Sequence, residues 1–226
     1  MCGRFTLASP AEILAALFEV QGLGDWDEPR YNIAPQTRVV TVGRLATKRA
    51  AQSLLWGAMH PKHSGPLINA RSETVASSPL FARSFAASRV LIPADGFFEW
   101  TKSGDRRRGH YFTQPGGGPF AFAGIAVEPP GPTERGGACA VILTTRASDS
   151  IKGYHDRMPL MVPRNAFALW LDQGANLKAV GEVMSAGSET VWTSRPVGPH
   201  VNNVRNEGPE CIREAQHPPE TQHRLF

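Results

Sequence analysis

Four residues of this sequence have side chains that could share one reaction: Cys2, Asn69, Glu99 and His155. Removal of the initiator Met1 would leave Cys2 with a free α-amine and a thiol on adjacent carbon atoms. An α-amine has a pKa near ~8 and a thiol near ~8.5, so both have reactive fractions at neutral pH. The amine condenses with an aldehyde to a Schiff base, and the thiol then closes on the imine carbon as a thiazolidine ring. The simpler alternative is that Cys2 is an incidental residue at the start of the chain.

Glu99 is the candidate general acid, because it lies within the aromatic sequence Phe97-Phe98-Glu99-Trp100. Neighbours of this kind desolvate a carboxyl group and raise its pKa towards neutrality. The alternative is that the side-chain alternation of a strand points Glu99 outward into solvent.

His155 and Asn69 are candidates for proton transfer and for substrate positioning. His155 lies in a loop that enters a strand, and its pKa range suits proton transfer at neutral pH, with Asp156 or another carboxylate to orient the ring. Asn69 follows two apolar residues, and its amide could hold an aldehyde or a hydroxyl by hydrogen bonds. An inert loop histidine and an asparagine that caps a turn are the respective alternatives.

Three arginines, Arg4, Arg71 and Arg157, each lie within two residues of one of these candidates. A guanidinium beside each reactive group is what a phosphate-bearing substrate requires. The residues at 106–108 are also arginines; we interpret that run as a solvated turn, with contact to a phosphate backbone as the alternative.

A metal site and a nucleotide phosphate loop are both disfavoured. His60 and His63 have the spacing of two ligands, but no cysteine pair or second spaced pair accompanies them. The glycines at 116–118 are not followed by Lys and Ser or Thr, as a P-loop requires. We therefore predict no metal and no other cofactor.

The pattern of apolar residues predicts one α+β domain of short mixed, mostly antiparallel strands that form a curved or barrel-like sheet with a few flanking helices. A capping-box pattern from Ser9 to Glu12 predicts the start of the first helix. The predicted strands are 38–45, 53–59, 89–100, 110–113, 120–127, 138–145, 157–162 and 190–193, with a hairpin turn at 103–105; the predicted helices are 9–20, 78–88, 165–171 and 177–185; and 21–37 is predicted to be a loop. The domain spans 1–213, and 214–226 is predicted to be a disordered tail.

The composition of the 226 residues fits a packed globule, with 41% hydrophobic and 19% charged residues. No apolar run reaches membrane-spanning length, and we expect no contact with membranes. Three cysteines are too few and too scattered for a disulfide framework, which favours the reducing cytoplasm. The net charge of +4 is compatible with a polyanionic partner.

Six motifs occur in an order that is typical of one family. They are Met-Cys-Gly-Arg-Phe at 1–5, Arg-Tyr-Asn-Ile-Ala-Pro at 30–35, Ile-Asn-Ala-Arg-Ser-Glu-Thr at 68–74, Pro-Ala-Asp-Gly-Phe-Phe-Glu-Trp at 93–100, His-Asp-Arg-Met-Pro at 155–159 and Val-Asn-Asn-Val-Arg-Asn at 201–206. In these motifs the sequence resembles the SRAP-domain proteins, which are abasic-site processing proteins also called SOS response-associated peptidases. The resemblance covers nearly the whole chain.

The resemblance implies covalent capture of an abasic site in single-stranded DNA, with a thiazolidine crosslink that shields the lesion from strand cleavage. By motif, Cys2 would be the nucleophile, Asn69 would hold the opened sugar, Glu99 would assist ring opening and crosslink reversal, and His155 would assist Schiff-base formation. Six further residues would contact the DNA: Arg4, Arg71 and Arg157 at the phosphates, and Pro35, Leu80 and Thr144 along its path. The expected protein is a cytoplasmic monomer that associates with the nucleoid when it acts on DNA. Its protein partners stay open, with the replication machinery as one candidate.

One loop departs from the family pattern, and two other functions remain open. Family members often carry Trp just beyond the Pro that follows Trp56-Gly57, where this chain has His60-Pro61-Lys62-His63; a weaker stacking residue there puts a preference for DNA junctions in question. The first alternative function is a cysteine peptidase that uses Cys2 with His155 and Glu99, removing Met1 or a short leader from its own chain. The second is a non-covalent single-stranded DNA-binding module, for which Cys2 would be dispensable.

Overall fold

Short strands make up most of the regular structure of the chain. The computed structural model describes residues 2–23, 26, 28–61, 63–103, 106–128 and 137–215, and every statement below refers to these residues. The strands are β1 (Phe5–Leu7), β2 (Arg30–Ile33), β3 (Arg38–Leu45), β4 (Lys48–Trp56), β5 (Asn69–Arg71), β6 (Arg89–Ala94), β7 (Gly96–Ser103), β8 (Arg106–Thr113), β9 (Phe120–Val127), β10 (Cys139–Arg146), β11 (Arg157–Pro159) and β12 (Thr193–Val197). The α-helices are α1 (Ala11–Phe18), α2 (Ala82–Ala87), α3 (Phe167–Leu171) and α4 (Leu177–Ser188), and short 3₁₀ turns span Arg164–Ala166, Pro199–Asn202 and Pro209–Ile212.

Five of these strands close into a barrel. They follow the order β10-β4-β3-β6-β9, and β9 pairs back onto β10. The β4–β10 pair is parallel, whereas the other four pairs of the ring are antiparallel. The barrel confirms the predicted α+β fold with its curved, mostly antiparallel sheet. Beyond the ring, β5 and β11 pair with the carboxyl-terminal half of β10.

A second, fully antiparallel sheet covers the barrel in the order β12-β8-β7-β1-β2. Aromatic side chains join the two sheets. Phe5 of β1 packs edge-on against Trp56 of β4 at 5.1 Å and against Phe122 of β9 at 5.7 Å between ring centroids. Because one apolar cluster runs through both sheets, the described residues form a single domain.

The start of α1 differs from the prediction. Ser9 does not cap the helix, because its Oγ donates to Asp95 Oδ1 at 2.6 Å, and the residue at the cap position, Pro10, has no side-chain hydrogen bond. Asp95 Oδ2 also accepts the backbone N–H groups of Ala8 and Ser9. Asp95 therefore ties the start of α1 to the junction between β6 and β7, which the sequence pattern had predicted to be one continuous strand.

Two further predictions of local structure were wrong. The segment 21–37, predicted to be a loop, contains β2, and the last strand begins at Thr193 rather than ending there. The turn predicted at 103–105 includes Gly104 and Asp105, which lie outside the described residues. In the predicted tail, Glu214 bridges to Val197 and the N–H of Ala215 donates to the carbonyl of Pro196, whereas 216–226 lie outside the described residues.

Within the described part of the chain, no helix is long and apolar enough to cross a membrane.

Candidate active site between the two sheets

Cys2 begins the candidate site and is fully buried at the start of the chain. The backbone N–H of Phe98 donates to the carbonyl of Arg4, which extends the β1–β7 pairing towards Cys2. Burial raises the pKa of the Cys2 thiol far above its usual range, and the negative charge of Glu99 raises it further. The thiol is therefore neutral at physiological pH, and the carboxyl group of Glu99 is its electrostatic neighbour.

Glu99 points into the protein and is 5% exposed. Burial raises the pKa of its carboxyl group to about 7; the positive charge of the amino terminus opposes this shift, and the negative charge of Asp156 adds to it. The outward orientation that strand alternation allowed is therefore not the observed one. A carboxyl group with this pKa is available both as an acid and as a base near neutral pH.

Asn69, the first residue of β5, contacts Cys2 directly. Its Nδ2 donates to the Cys2 carbonyl oxygen at 3.0 Å. Its Oδ1 is buried and has no hydrogen-bond partner among the described residues. Because a buried acceptor without a partner is costly, this oxygen is an acceptor ready for a hydroxyl or an N–H of a bound substrate.

His155 is a neutral imidazole in this environment. Partial burial lowers the pKa of its ring, and the positive charge of the amino terminus lowers it further, although Asp156 opposes both. Its Nδ1 accepts the backbone N–H of Arg157 at 2.9 Å, which places the proton of the neutral ring on Nε2. The 2.7 Å contact between Nδ1 and Asp156 Oδ1 instead suits the protonated ring. His155 therefore has a built-in partner for each protonation state.

Arg157 and Thr144 lie on the barrel side of the site. The guanidinium of Arg157 makes two parallel bonds to Glu73, at 2.7 and 2.9 Å, and also donates to the carbonyl oxygen of Thr144. Thr144 is 1% exposed, and its hydroxyl donates to the carbonyl of Ala70 at 3.4 Å. Thr144 thus contacts Arg157, and its position along the DNA path stays a prediction.

Arg71 and Arg4 differ sharply in their environments. Arg71, at the end of β5, is exposed. Arg4 is committed to other groups: its Nη1 donates to Asn32 Oδ1 at 2.7 Å and to the Val201 carbonyl at 2.8 Å. Its guanidinium also lies over the Trp100 ring at 5.1 Å. In this structure Arg4 joins β1 to β2 and to the carboxyl-terminal segment.

Pro35 and Leu80, the other two residues predicted along the DNA path, are both half-buried. Pro35 is in the turn between β2 and β3. Leu80 lines a small groove of about 210 Å³ together with His60. The rings of His60 and His63 meet edge-on at 5.5 Å.

Three residues near the site escaped the sequence analysis: Glu73, His110 and Asn32. Glu73 holds Arg157, and Asn32 accepts from Arg4 while it donates to the carbonyls at positions 203 and 206. His110 is the cross-strand partner of Glu99 in the β7–β8 pair, and burial lowers its pKa. Asn32 and Glu73 lie within two of the six motifs, but only the tertiary contacts show which groups they bind. His110 is identified only by the strand register. Among the described residues, no group of three or more His, Cys, Asp or Glu side chains could hold a metal ion.

A closed barrel, a covering sheet and a buried thiol beside a near-neutral carboxyl group define a single-domain protein with a candidate active site between its two sheets. The family model described as SOS response associated peptidase (SRAP) matches residues 1–204. The chain therefore belongs to the SRAP family.

Several named relatives and solved structures are similar over most of their lengths. The chain is 33% identical over 225 residues to the abasic site processing protein YedK of Escherichia coli, covering 94% of this chain and 99% of the relative. It is 30% identical over 277 residues to the abasic site processing protein HMCES of Mus musculus, covering 95% and 76%. A crystal structure of a phage-related protein from Bordetella bronchiseptica superposes with a TM-score of 0.70 at 28% identity, covering 87% and 94%. A structure from Bacteroides thetaiotaomicron, at 18% identity and a TM-score of 0.76 over 95% and 100%, shares the fold.

Proposed function

We propose that this protein recognises abasic sites in single-stranded DNA and captures them covalently through Cys2 as a thiazolidine. The observation that carries the proposal is the buried group formed by Cys2, Glu99 and Asn69, in which a neutral thiol adjoins a carboxyl group with a pKa of about 7. An abasic site supplies the complementary group, because its deoxyribose is an aldehyde in equilibrium with a closed ring. The names of YedK and HMCES, both abasic site processing proteins, support this choice of lesion.

The reaction begins with two preparatory steps. Removal of Met1 converts the peptide nitrogen of Cys2 into a free α-amine. Glu99 then protonates the ring oxygen of the closed sugar, the bond from C1 to the ring oxygen breaks, and the C1 hydroxyl loses its proton to water to give the open aldehyde. A carboxyl group that is half protonated near pH 7 suits this role.

Schiff-base formation follows at the same carbon atom. The α-amine adds to the aldehyde, and loss of water from the resulting carbinolamine gives an imine. His155 accepts a proton from the attacking amine, and its neutral ring, which has a lowered pKa, supports this role. Asn69 Oδ1, which has no partner among the described residues, accepts a hydrogen bond from a hydroxyl of the opened sugar.

Ring closure makes the adduct stable. The Cys2 sulfur attacks the imine carbon, the thiol proton ends on the ring nitrogen, and the C–S bond completes the thiazolidine. The amine-first order follows from the raised pKa of the thiol, since a neutral thiol is a weak nucleophile towards an aldehyde but adds readily to an activated imine. Reversal requires protonation of the thiazolidine, for which Glu99 is again available.

The same raised pKa weighs against a cysteine peptidase. Peptidases of that kind need a thiolate, and their cysteines have lowered pKa values. The pKa of Cys2 is shifted the opposite way, by burial first and by Glu99 second. Acyl transfer by Cys2 is therefore the less favoured use of this site.

A denaturing gel separates the three functions. The protein is incubated with a labelled single-stranded oligonucleotide that carries one abasic site, with an undamaged oligonucleotide as control. We expect a heat-stable shifted band with the abasic strand only. A Cys2→Ala variant that formed the same band would refute capture by Cys2, and retention of DNA in native gels alone would favour the non-covalent binding module.

A further inference from the structure

Three strands meet at one edge of the barrel beside the candidate site. In the parallel β5–β10 pair, Arg71 lies opposite Thr144, and in the antiparallel β10–β11 pair Arg146 lies opposite Arg157. These registers bring Arg71, Arg146 and Arg157 to the same end of the three strands. This edge of the barrel adjoins the candidate site, because Arg157 follows His155 by two residues.

The charges at this edge are only partly balanced. Arg157 is neutralised by its two bonds to Glu73. Arg71 and Arg146 are exposed, and neither side chain makes a hydrogen bond or ion pair with any residue that the structure describes. Like charges directly opposite each other destabilise a pair of strands. Glu73 already balances Arg157 in the Arg146–Arg157 pair, so the unbalanced positive charge at this position is that of Arg146.

The groove at this edge has the composition of an anion-binding surface. Its volume is about 570 Å³, and its lining includes four cationic residues, Arg71, Arg146, Lys152 and Arg157, and two acidic ones, Glu73 and Asp156. Four positive charges less two negative charges leave a net charge of +2. No aromatic side chain lines it, so it offers contacts for a phosphate backbone but no surface on which bases can stack.

We propose that this groove, which we call the arginine groove and define by Arg71, Arg146, Lys152 and Arg157, holds the phosphodiester backbone of single-stranded DNA on one side of the captured nucleotide. Arg146 and Lys152 bind phosphates beyond those nearest to the lesion. Arginine suits this role because its planar fork binds phosphate oxygens bidentately. The ion pair of Lys152 with Asp149, at 2.8 Å, is exposed on both sides and is easily exchanged for a phosphate. The inference deepens the proposed function and rests on it for the position of the lesion.

The test uses oligonucleotides that cannot react. A tetrahydrofuran analogue of the abasic site has no aldehyde, so affinity is measured without crosslinking. One series of strands extends from the analogue only in the 5′ direction and the other only in the 3′ direction. Fluorescence anisotropy at several salt concentrations then gives the affinity and the salt slope for wild type, Arg146→Ala and Lys152→Ala.

We expect Arg146→Ala to weaken binding to one of the two series by roughly two- to fivefold at low salt and to leave the other unchanged. The salt slope for the affected series should fall by about 0.7 for each lost phosphate contact. Arg213→Ala is the matched control, because Arg213 is an exposed arginine beyond β12 whose ion pair with Glu210 lies outside the groove. Its affinity for both series should equal that of wild type.

Two results would contradict the proposal that the arginine groove holds the DNA backbone. Unchanged affinity of Arg146→Ala for both series would remove Arg146 from the DNA path. Equal losses for both series, matched by Arg213→Ala, would show a general charge effect. Failure of the proposed capture is distinguishable, because wild type would then form no covalent adduct with a natural abasic strand whatever its affinity for the analogue.

Discussion

The position of Glu99 in its β-sheet determines the pKa of its carboxyl group. Strand alternation places Glu99 on the same face of β7 as Phe97, whose ring stacks on Phe112 across the β7–β8 pair. That face packs into the core, so the carboxyl group loses water and its pKa rises to about 7. The aromatic neighbours in the sequence predicted desolvation, but only the fold shows that the side chain points inward.

The first prediction concerns the pH dependence of capture by Glu99→Gln. In wild type the acid, with a pKa of about 7, must be protonated, while the amine, with a pKa near ~8, must be neutral. The rate should therefore rise up to about pH 7, stay level to about pH 8 and fall above it. In Glu99→Gln the fall at high pH should disappear, because no acid is left to lose its proton.

Single-turnover rates of adduct formation between about pH 5.5 and 9.5, a range that extends about 1.5 units below the lower pKa and above the higher one, measure this profile. The variant should be slower than wild type by roughly ten- to a thousandfold at pH 7, and its adduct should have an unchanged mass. Release of the bound strand should slow as well. Equal capture and release rates would leave Glu99 with no role in the chemistry.

The second prediction is that Glu99→Gln stabilises the fold at high pH. The carboxyl pKa is raised from 4.5 in the unfolded chain to about 7, so the wild-type fold loses stability as the pH rises from about 4.5 to 7. The neutral amide has no such loss. The difference in unfolding free energy should therefore grow with pH and reach up to ~3 kcal/mol above pH 7.

Urea unfolding of both proteins at pH 4.5 and pH 8, two conditions on either side of the shift, measures this difference. Glu99→Asp is the control, since it keeps a titrating carboxyl group at the same position. A difference that is independent of pH would contradict the raised pKa.

At the scale of elements, long strands with a regular pattern were the predictable ones. The strands Arg38–Leu45 and Phe120–Val127 have the predicted bounds, and most of their residues are buried in the core. β1 and β5 have three residues each and were missed. Strands this short are defined by their pairing partners, β7 and β10, which lie far away in the sequence.

The contacts of the arginines also depend on residues that are distant in the sequence. Position in the sequence placed Arg4 next to Cys2, and a phosphate contact followed as the natural hypothesis. The structure instead gives its guanidinium three oxygen acceptors, on Asn32, Val201 and Asn202. Two of these belong to a segment almost two hundred residues away, and no local pattern could indicate them.

The third prediction is that Arg4→Ala destabilises the fold. The substitution leaves Asn32 Oδ1, in a residue that is 2% exposed, without its donor, and it removes the connection from β1 to the carboxyl-terminal segment. An unsatisfied buried polar group costs about 1–3 kcal/mol. Chemical denaturation should show a loss of this size, with Arg38→Ala as an exposed control.

The outcome for DNA binding separates two roles of Arg4. If Arg4 is only an anchor, the folded variant should bind the unreactive abasic analogue with a salt slope equal to that of wild type. Full stability together with a reduced slope would show instead that Arg4 contacts a phosphate.

At the scale of the whole molecule, the candidate site depends on how the two sheets pack. Glu99 belongs to the covering sheet, whereas Thr144 belongs to barrel strand β10, and Asn69 and Arg157 belong to β5 and β11, which pair with β10. The aromatic contacts of Phe5 with Trp56 and Phe122 hold the sheets together close to Cys2. The sequence supplied the residue types of the site, but the distances among them arise from this packing.

The distribution of charge over the molecule also depends on how the strands pair. A net charge of +4 indicates a polyanion only weakly. Its distribution is more informative, because strand register brings Arg71, Arg146 and Arg157 to one edge beside the site. The sequence pattern could identify the arginines within the motifs but not Arg146, which has no reactive neighbour in the chain.

The most direct test of covalent capture by Cys2 is a count of free thiols in the adduct. Intact mass alone is ambiguous, since the imine and the thiazolidine both have the mass of protein without Met1 plus DNA less one water. The adduct is therefore denatured and treated with iodoacetamide, and its intact mass is then measured. The free protein has three cysteines and should take three labels, whereas a thiazolidine adduct should take two. An adduct that takes three labels, or that gains mass on treatment with borohydride, would contradict the account.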